Sequence, residues 1–207
     1  MLKSNKLIEE LEKLFPDAKC ELNYTNTFEL LIAVVLSAQT TDRRVNMVTR
    51  KLFTVYPDVY RLASAAQVDV ENIISSLGLF RTKAENIIAL SKKIVTNFGG
   101  EVPNTLEDLT TLPGVGRKSA NVVLSEGFGI PAIAVDTHVA RVSNRLGLVD
   151  SDDTYVIEKT LEEYFPKDDW HKGHNLLVHF GRYFCTAQKP NCLECPFNKV
   201  CPYYNKK

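Results

Sequence analysis

Residues 112–147 of the 207-residue chain read LPGVGRKSANVVLSEGFGIPAIAVDTHVARVSNRLG. Gly114 and Gly116 predict a tight turn before an apolar-periodic run that has Lys118 at its start. A turn that enters a helix leaves backbone N–H groups without an intrahelical partner. Those groups and the helix dipole favour a phosphate, although a lone Gly-x-Gly is more commonly a plain loop between packed helices. Lys118, and Asp136 before the next periodic run, favour the phosphate interpretation.

Charge is distributed unevenly along the chain, although 25 basic and 25 acidic residues give a formal net charge of zero. Residues 148–169 hold eight acidic and two basic residues, whereas residues 171–207 hold six basic residues and one acidic residue. Residues 112–147 hold four basic and two acidic residues. A neutral protein with segregated charge can carry a basic face, so the net charge does not exclude a nucleic-acid partner.

Nearly every periodic segment has the spacing of a helix. Asn26, with Glu29 three residues later, predicts the cap of an almost wholly apolar helix, FELLIAVVLSA, which belongs at the centre of a bundle. Thr82 and Glu85 predict a capping box for a later helix that ends near Gly99. No alternating strand and no internal repeat is evident. The sequence therefore predicts an all-α architecture.

Localisation follows from two features of the first part of the chain. The opening residues, MLKSNKLIEELEKLF, lack the apolar core of a signal peptide and carry acidic side chains. The most apolar stretch, residues 28–36, is much shorter than the ~20 residues that a membrane span needs. We therefore expect a cytoplasmic protein that does not associate with a membrane.

Five cysteines are expected to be thiols or metal ligands in a reducing cytosol, not disulfides. Four of them have the spacing C-x6-C-x2-C-x5-C: Cys185, Cys192, Cys195 and Cys201. Four thiolates in so short a segment can close around one centre, either a zinc ion or an iron–sulfur cluster, and the spacing alone does not distinguish the two. Cys20 stands apart and is expected to be a small buried apolar residue.

A family resemblance is carried by these motifs together. LPGVGRKSANVVL followed by AVDTHVARVSNRLG resembles the helix-hairpin-helix and Gly/Pro-Asp motif of the DNA glycosylase superfamily. ELNYTNTFELLIAVVLSAQTTD near the start and the four cysteines near the end extend the similarity, in order, over nearly the whole chain. The chain most closely resembles the endonuclease III family.

The resemblance implies a layout that periodicity cannot give. It implies an all-α, two-domain helix-hairpin-helix DNA glycosylase fold with a C-terminal [4Fe–4S] cluster loop. Residues 21–130 would form the central helical domain that contains the hairpin. Residues 1–20 and 131–207 would together form the iron–sulfur cluster domain. The cofactor would be a [4Fe–4S] cluster bound by Cys185, Cys192, Cys195 and Cys201.

The resemblance also implies two catalytic residues. Lys118 matches the family's catalytic lysine, whose unprotonated amine attacks the sugar carbon and forms a Schiff base. Its general alternative is a surface lysine. Asp136 matches the partner carboxylate, which stabilises positive charge on the sugar or assists deprotonation. Asp136 is also expected to be the N-cap of the helix that follows, and the two roles are compatible.

Several further residues would contact DNA. Gln39 matches the residue that fills the space left by an extruded base, and Leu79 matches an apolar wedge between base pairs. Lys189 lies between the first two cysteines, where the cluster loop would hold its ammonium against a phosphate; the alternative is a solvated lysine. The hairpin itself would bind a phosphate through Gly114, Val115, Gly116 and Arg117.

The resulting hypothesis is a bifunctional DNA glycosylase and abasic-site lyase. It would act, as a monomer, on oxidised or ring-damaged pyrimidines of double-stranded DNA in base-excision repair, and its binding to DNA would associate it with the nucleoid in the cytoplasm. An adenine-mismatch glycosylase shares hairpin and cluster, but Lys118 and the end of the chain at Lys207, without an extra recognition domain, argue against it. The sequence does not exclude a glycosylase for thymine mismatches or pyrimidine dimers. A non-catalytic DNA-binding or redox protein would have no use for Lys118 and Asp136 together.

Overall fold

The computed structural model describes residues 2–205, and within them every regular element is helical, which confirms the all-α prediction. The α-helices in chain order are α1 (Ser4–Leu14), α2 (Thr27–Leu36), α3 (Asp42–Val55), α4 (Val59–Ala63), α5 (Gln67–Ile74), α6 (Phe80–Phe98), α7 (Leu106–Thr110), α8 (Arg117–Val122), α9 (Thr137–Arg145), α10 (Thr154–Tyr164), α11 (Trp170–His179) and α12 (Pro202–Asn205). Two π-helical segments, Val123–Gly127 and Phe180–Phe184, directly continue α8 and α11. None of the helices in residues 2–205 combines the length and apolar character that a bilayer span requires.

The chain divides into two compact units. One unit is formed by Glu21–Ile130 and is called here the contiguous unit. The other, the split unit, combines Met1–Cys20 with Pro131–Lys207. The two ends of the chain therefore contribute to one body, and the hairpin and Lys118 belong to the other.

Helix α2 is the buried centre of the contiguous unit. All residues from Leu30 to Leu36 are buried, as the absence of a polar face predicts. The Asn26 side chain accepts from the backbone N–H of Glu29 at 2.9 Å, which confirms the predicted cap. The Glu29 carboxylate reaches back to the N–H of Thr25 at 2.7 Å. Helix α2 packs against α3, α6, α8 and the first π-helical segment.

Helix α6 begins earlier than the sequence predicts. The capping box at Thr82 and Glu85 is wrong, because α6 begins at Phe80 and Thr82 already lies inside its first turn. Its N-cap is Leu79, which has a left-handed backbone and makes no side-chain capping bond. The predicted end at Gly99 is confirmed: this residue has a φ of 63°, which glycine adopts without the penalty of a Cβ atom.

The core of the split unit is shared by both ends of the chain. Helix α1 packs against α11, which also packs against α9. The buried apolar side chains form one cluster that includes Leu7, Leu11, Val139, Leu161 and Leu177. Phe180 stacks on Phe184 and meets Phe197 edge-on, at centroid distances of 5.2 and 5.8 Å. The core therefore continues without interruption to Cys185 and Cys201.

Candidate functional site

The glycine turn joins α7 to α8 as the sequence predicts. Gly116 is the N-cap of α8, and Gly114 has a φ of 77°. A Cβ atom at Gly114 would lie 3.0 Å from Nδ2 of Asn86 on α6. The positive φ therefore favours glycine at position 114, and a Cβ atom there would also force the Asn86 side chain to move by a few tenths of an ångström.

The backbone amides of this turn are not equivalent. The N–H of Val115 donates to the Leu112 carbonyl at 3.1 Å, and the Val115 side chain is buried. The amide of Val115 is therefore engaged inside the turn, where it closes the loop instead of facing a ligand. Gly114 and Gly116 are exposed, whereas Arg117 is half-buried.

Lys118 lies in the first turn of α8, and its side chain is exposed. Among residues 2–205 it has no hydrogen bond and no ion pair. The structure therefore leaves its amine available to a ligand, as nucleophilic chemistry requires.

Asp136 is the N-cap of α9, which confirms this part of its prediction. Its Oδ1 accepts from the backbone N–H groups of His138 and Val139 at 2.9 and 2.8 Å. The cap holds a half-buried carboxylate in one orientation. Burial is the main cause of a lowered pKa of His138, while the Asp136 carboxylate acts in the opposite direction. The Nδ1 of this imidazole lies 3.2 Å from Nη2 of Arg141, whose positive charge also lowers the pKa of His138.

Gln39 and Leu79 share an unusual backbone conformation. Within residues 2–205 they are the two non-glycine residues with positive φ, 52° and 57° respectively. A left-handed conformation costs an L-residue with a Cβ roughly 1–2 kcal/mol. Gln39 is exposed, and Leu79 exposes 61% of its surface despite its apolar side chain. Strained backbone and exposed apolar surface are both typical of sites that contact a ligand.

The four predicted metal-ligating cysteines come together at one cavity of the split unit. Its lining includes all four and is otherwise mainly apolar and aromatic: Cys185, Cys192, Cys195, Cys201, Leu146, Phe180, Phe184, Pro190, Tyr203 and Tyr204, with Asn191 and Asn198. Cys20 does not line this cavity and is half-buried, less buried than the sequence predicts. Lys189 is exposed on the loop between the first two cysteines.

The chemistry of this cavity fits an iron–sulfur cluster. Burial raises the pKa of the Cys195 thiol to about 11, and negative charge on the other three cysteines adds to the rise. Four thiolates therefore need a cationic centre before they can be stable together here. Four Cys thiolates are the usual ligand set of a [4Fe–4S] cluster, and the lining of this cavity supplies four cysteines.

Two arginines that the sequence analysis did not single out tie α9 to the start of the cysteine loop. Arg141 donates to the Cys185 carbonyl at 3.3 Å and to the Gly181 carbonyl at 2.7 Å. Arg145 donates to the carbonyls of Thr186 and Ala187 at 2.8 and 2.9 Å. Its Nη1 also lies 3.5 Å from Cys185 Sγ. No local pattern predicts these bonds, because their partners lie some forty residues further along the chain.

Comparisons with known proteins identify the family. A model of the HhH-GPD superfamily of base excision DNA repair proteins matches residues 32–167. A model of the iron-sulfur binding domain of endonuclease III matches residues 185–201. Endonuclease III of Bacillus subtilis (strain 168) is 50% identical over 195 residues, which are 94% of this chain and 89% of that protein. The chain belongs to the endonuclease III family.

Solved structures agree with this assignment. A trapped covalent intermediate of an endonuclease III with DNA has a TM-score of 0.94 and 48% identity, and the match covers 100% of this chain and 99% of that one. A thermostable thymine-DNA glycosylase has a TM-score of 0.87 at 24% identity, with 99% of each chain covered, a likeness that shows the fold alone. As a member of the endonuclease III family, the protein is a DNA glycosylase of base-excision repair and carries a [4Fe–4S] cluster.

Proposed function

We propose that this DNA glycosylase is bifunctional: it removes oxidised or ring-damaged pyrimidines from duplex DNA and then cleaves the abasic site, with Lys118 as its nucleophile. The observation that carries the proposal is the exposed, unpaired amine of Lys118 in the first turn after the glycine hairpin, among residues 2–205. A relative that is 48% identical has been solved as a trapped covalent intermediate with DNA, the type of complex that an amine nucleophile forms.

The reaction begins when the neutral amine of Lys118 attacks C1′ of the damaged nucleotide. The new C–N bond forms while the bond to the base breaks, and the base leaves with the electron pair and takes up a proton. The nitrogen then loses one proton and its electron pair breaks the bond from C1′ to the ring oxygen O4′, which takes up a proton, so that a protonated Schiff base forms. Loss of a proton from C2′ then expels the 3′ phosphate, and water releases the lysine. We assign to Asp136 the stabilisation of positive charge on the sugar and a part in these proton transfers.

The DNA must be opened before this chemistry, because the target base lies inside the duplex. Extruding a nucleotide costs a few kcal/mol. Leu79 acts as the wedge, since an exposed apolar side chain at a helix N-terminus can enter between base pairs. Gln39 fills the vacated space with amide donors and an acceptor. The amides of Gly114 and Gly116, with Arg117, hold a phosphate of the same strand.

The cluster has a structural place in this proposal. Its ligands are Cys185, Cys192, Cys195 and Cys201, and when bound it supplies the iron charge that allows four neighbouring thiolates to coexist. No step of base removal or strand cleavage requires it. The closed loop fixes the backbone around Lys189, so that this ammonium meets a phosphate in a defined place.

Borohydride trapping tests the nucleophile directly, because reduction of an imine leaves a stable secondary amine. The wild-type protein should become covalently attached to DNA that contains an abasic site or an oxidised pyrimidine. Lys118→Gln should bind the same DNA but give no covalent product. Lys92→Gln, which removes an exposed amine from α6, should trap as the wild type does. Trapping by Lys118→Gln would show that another amine is the nucleophile and would overturn the proposal.

A further inference from the structure

Gln39 and Leu79 both have a strained backbone that their own side chains do not stabilise. Both hold a left-handed φ that their side chains disfavour. Both side chains are exposed, so their own packing does little to fix the backbone. Strained positions of this kind persist only where surrounding groups hold them. One residue, Lys83, makes a hydrogen bond towards each of the two positions.

The backbone of Lys83 is bonded to Leu79. Its side chain is bonded to the turn of residues 37–40, which contains Gln39 and is called here the Gln39 turn. Its N–H donates to the Leu79 carbonyl at 2.9 Å as the first hydrogen bond of α6. Its ammonium donates to the Thr40 hydroxyl at 2.7 Å, and that hydroxyl is 3.3 Å from the Ala38 carbonyl, to which it donates. Gln39 therefore lies between two residues that one chain of hydrogen bonds joins to Lys83.

The place of Lys83 in the core makes a purely structural role costly. It is 4% exposed and lies on one face of α6 with Ile87, Leu90 and Ile94, which are fully buried. Burial lowers the pKa of Lys83, and in residues 2–205 no carboxylate pairs with it. A methionine of similar length would fill this position without the desolvation of an amine. The hydrogen bond to Thr40 is what lysine adds.

We propose that Lys83 is a positioning residue that fixes the Gln39 turn relative to Leu79. The side chains of Gln39 and Leu79 then enter the DNA at a fixed distance from each other. The proposal rests on the DNA roles of Gln39 and Leu79 given above and adds the residue that sets their geometry. Filling a vacated base position and wedging the stack must occur together, and small displacements of such groups are expensive in rate. The contact involves neither Lys118 nor the glycine turn, so its role can be tested separately from that of the nucleophile.

Lys83→Met tests the amine while preserving the length of the buried side chain, and Lys92→Met is the matched control on the exposed face of α6. Lys83→Met should lower the single-turnover release of a damaged pyrimidine from duplex DNA by about tenfold. Cleavage of an abasic site in single-stranded DNA, where there is no stack to open, should be unchanged. Equal losses on both substrates would overturn the positioning role, and so would no loss on either.

A double-mutant cycle with Thr40 separates the hydrogen bond from general packing. Thr40→Val removes the hydroxyl at nearly constant shape and should reproduce the loss on duplex DNA. Thr40→Ser keeps the hydroxyl and should recover most of the rate. Lys83→Met combined with Thr40→Val should lose no more than either change alone, since both remove the same contact. Additive losses would show that the two residues act separately and would contradict the inference.

DNA unstacking can be measured in a variant that cannot carry out the reaction. This measurement tests the role of Lys83 independently of the assignment of Lys118 as the nucleophile. In the Lys118→Gln background, 2-aminopurine placed opposite the damaged base reports unstacking by its fluorescence. Adding Lys83→Met should reduce the fluorescence rise on binding, and adding Lys92→Met should not. An unchanged rise would overturn the role of Lys83, whatever borohydride trapping shows about Lys118. Failure of trapping alone would overturn the proposed nucleophile and leave this result intact.

Discussion

Asp136 and Arg145 lie at the two ends of helix α9. The Asp136 carboxylate caps its first turn, and the Arg145 guanidinium in its last turn donates to the carbonyls of Thr186 and Ala187. The Arg145 guanidinium also lies over the Tyr203 ring, 4.2 Å from its centroid. One rigid helix therefore joins the predicted catalytic carboxylate to the loop that carries the cysteines.

Arg145→Lys should make the cluster easier to remove while the protein stays folded. Lysine keeps the charge but cannot donate to two carbonyls and stack on a ring at once. We expect iron loss to a chelator to be several-fold faster than in the wild type, as measured by the decay of the visible absorbance of the cluster. Arg61→Lys, an exposed change in the contiguous unit, is the control. Equal rates for all three proteins would mean that the guanidinium does not secure the loop.

Asp136→Asn and Asp153→Asn form a matched pair, because each aspartate caps a helix through two backbone N–H groups. Asparagine caps a helix about as well as aspartate, so neither change should unfold the protein. Only Asp136→Asn removes the carboxylate that we assign to catalysis, and its turnover should fall by about 100-fold or more. Some trapping on abasic DNA should persist, since no base has to leave. Similar activity in both variants would remove Asp136 from the mechanism.

Cys192→Ser should yield protein without its cluster, whereas Cys20→Ser should keep about four irons per chain. The difference is expected because Cys192 lines the cysteine cavity and Cys20 does not. The loop that carries Lys189 should lose its anchor in Cys192→Ser, and DNA binding should weaken with it. Iron analysis and DNA binding on anaerobically purified protein make the comparison. Zinc in place of iron in the wild type would contradict the assignment.

Lys189→Ala should change the salt dependence of binding to undamaged DNA. A lysine that neutralises one phosphate contributes about one to the slope of log K against log salt. Lys199→Ala removes another exposed lysine near the end of the chain and should leave the slope as it is. Binding isotherms at several salt concentrations measure both. An unchanged slope in Lys189→Ala would show that Lys189 is a solvated surface lysine that contacts no phosphate.

Leu79→Ala and Leu79→Gly distinguish the effect of the Leu79 side chain on DNA from the effect of its strained backbone on stability. Both remove the side chain, so both should slow base release from duplex DNA and have little effect on single strands. Leu79 exposes 61% of its surface, so little burial is lost in either variant. Glycine also relieves the left-handed backbone at φ 57°, which should make Leu79→Gly more stable than Leu79→Ala by roughly 1 kcal/mol. A duplex-independent loss would indicate packing instead.

The sequence predicts those parts of the fold that depend on neighbouring residues. The caps at Asn26 and Asp136 are correct because a capping side chain and its backbone partners lie within three residues of each other. The start of α6 is missed because the left-handed backbone of Leu79 is a property of the folded state, and leucine gives no local sign of it. Gln39 and Leu79 were singled out through the family resemblance alone.

The position of Lys83 on an apolar stripe can be seen in the sequence. Its spacing of four, seven and eleven residues from Ile87, Leu90 and Ile94 places a lysine on an apolar stripe, which is where a buried amine is expected. What the stripe could not show is the partner, since Thr40 belongs to a turn far away in the sequence. The arginine contacts of α9 were hidden for the same reason.

The split unit has a consequence for the order in which the protein is made. Helix α1 leaves the ribosome before the contiguous unit, yet it packs against α11, which is synthesised only after the whole of Glu21–Ile130. The contiguous unit can fold while synthesis continues. The apolar stripe of Leu7, Ile8 and Leu11 has no native packing partner until α11 has been synthesised. Cys201 emerges later still, so iron insertion is expected among the last events of maturation, after translation has passed the final ligand.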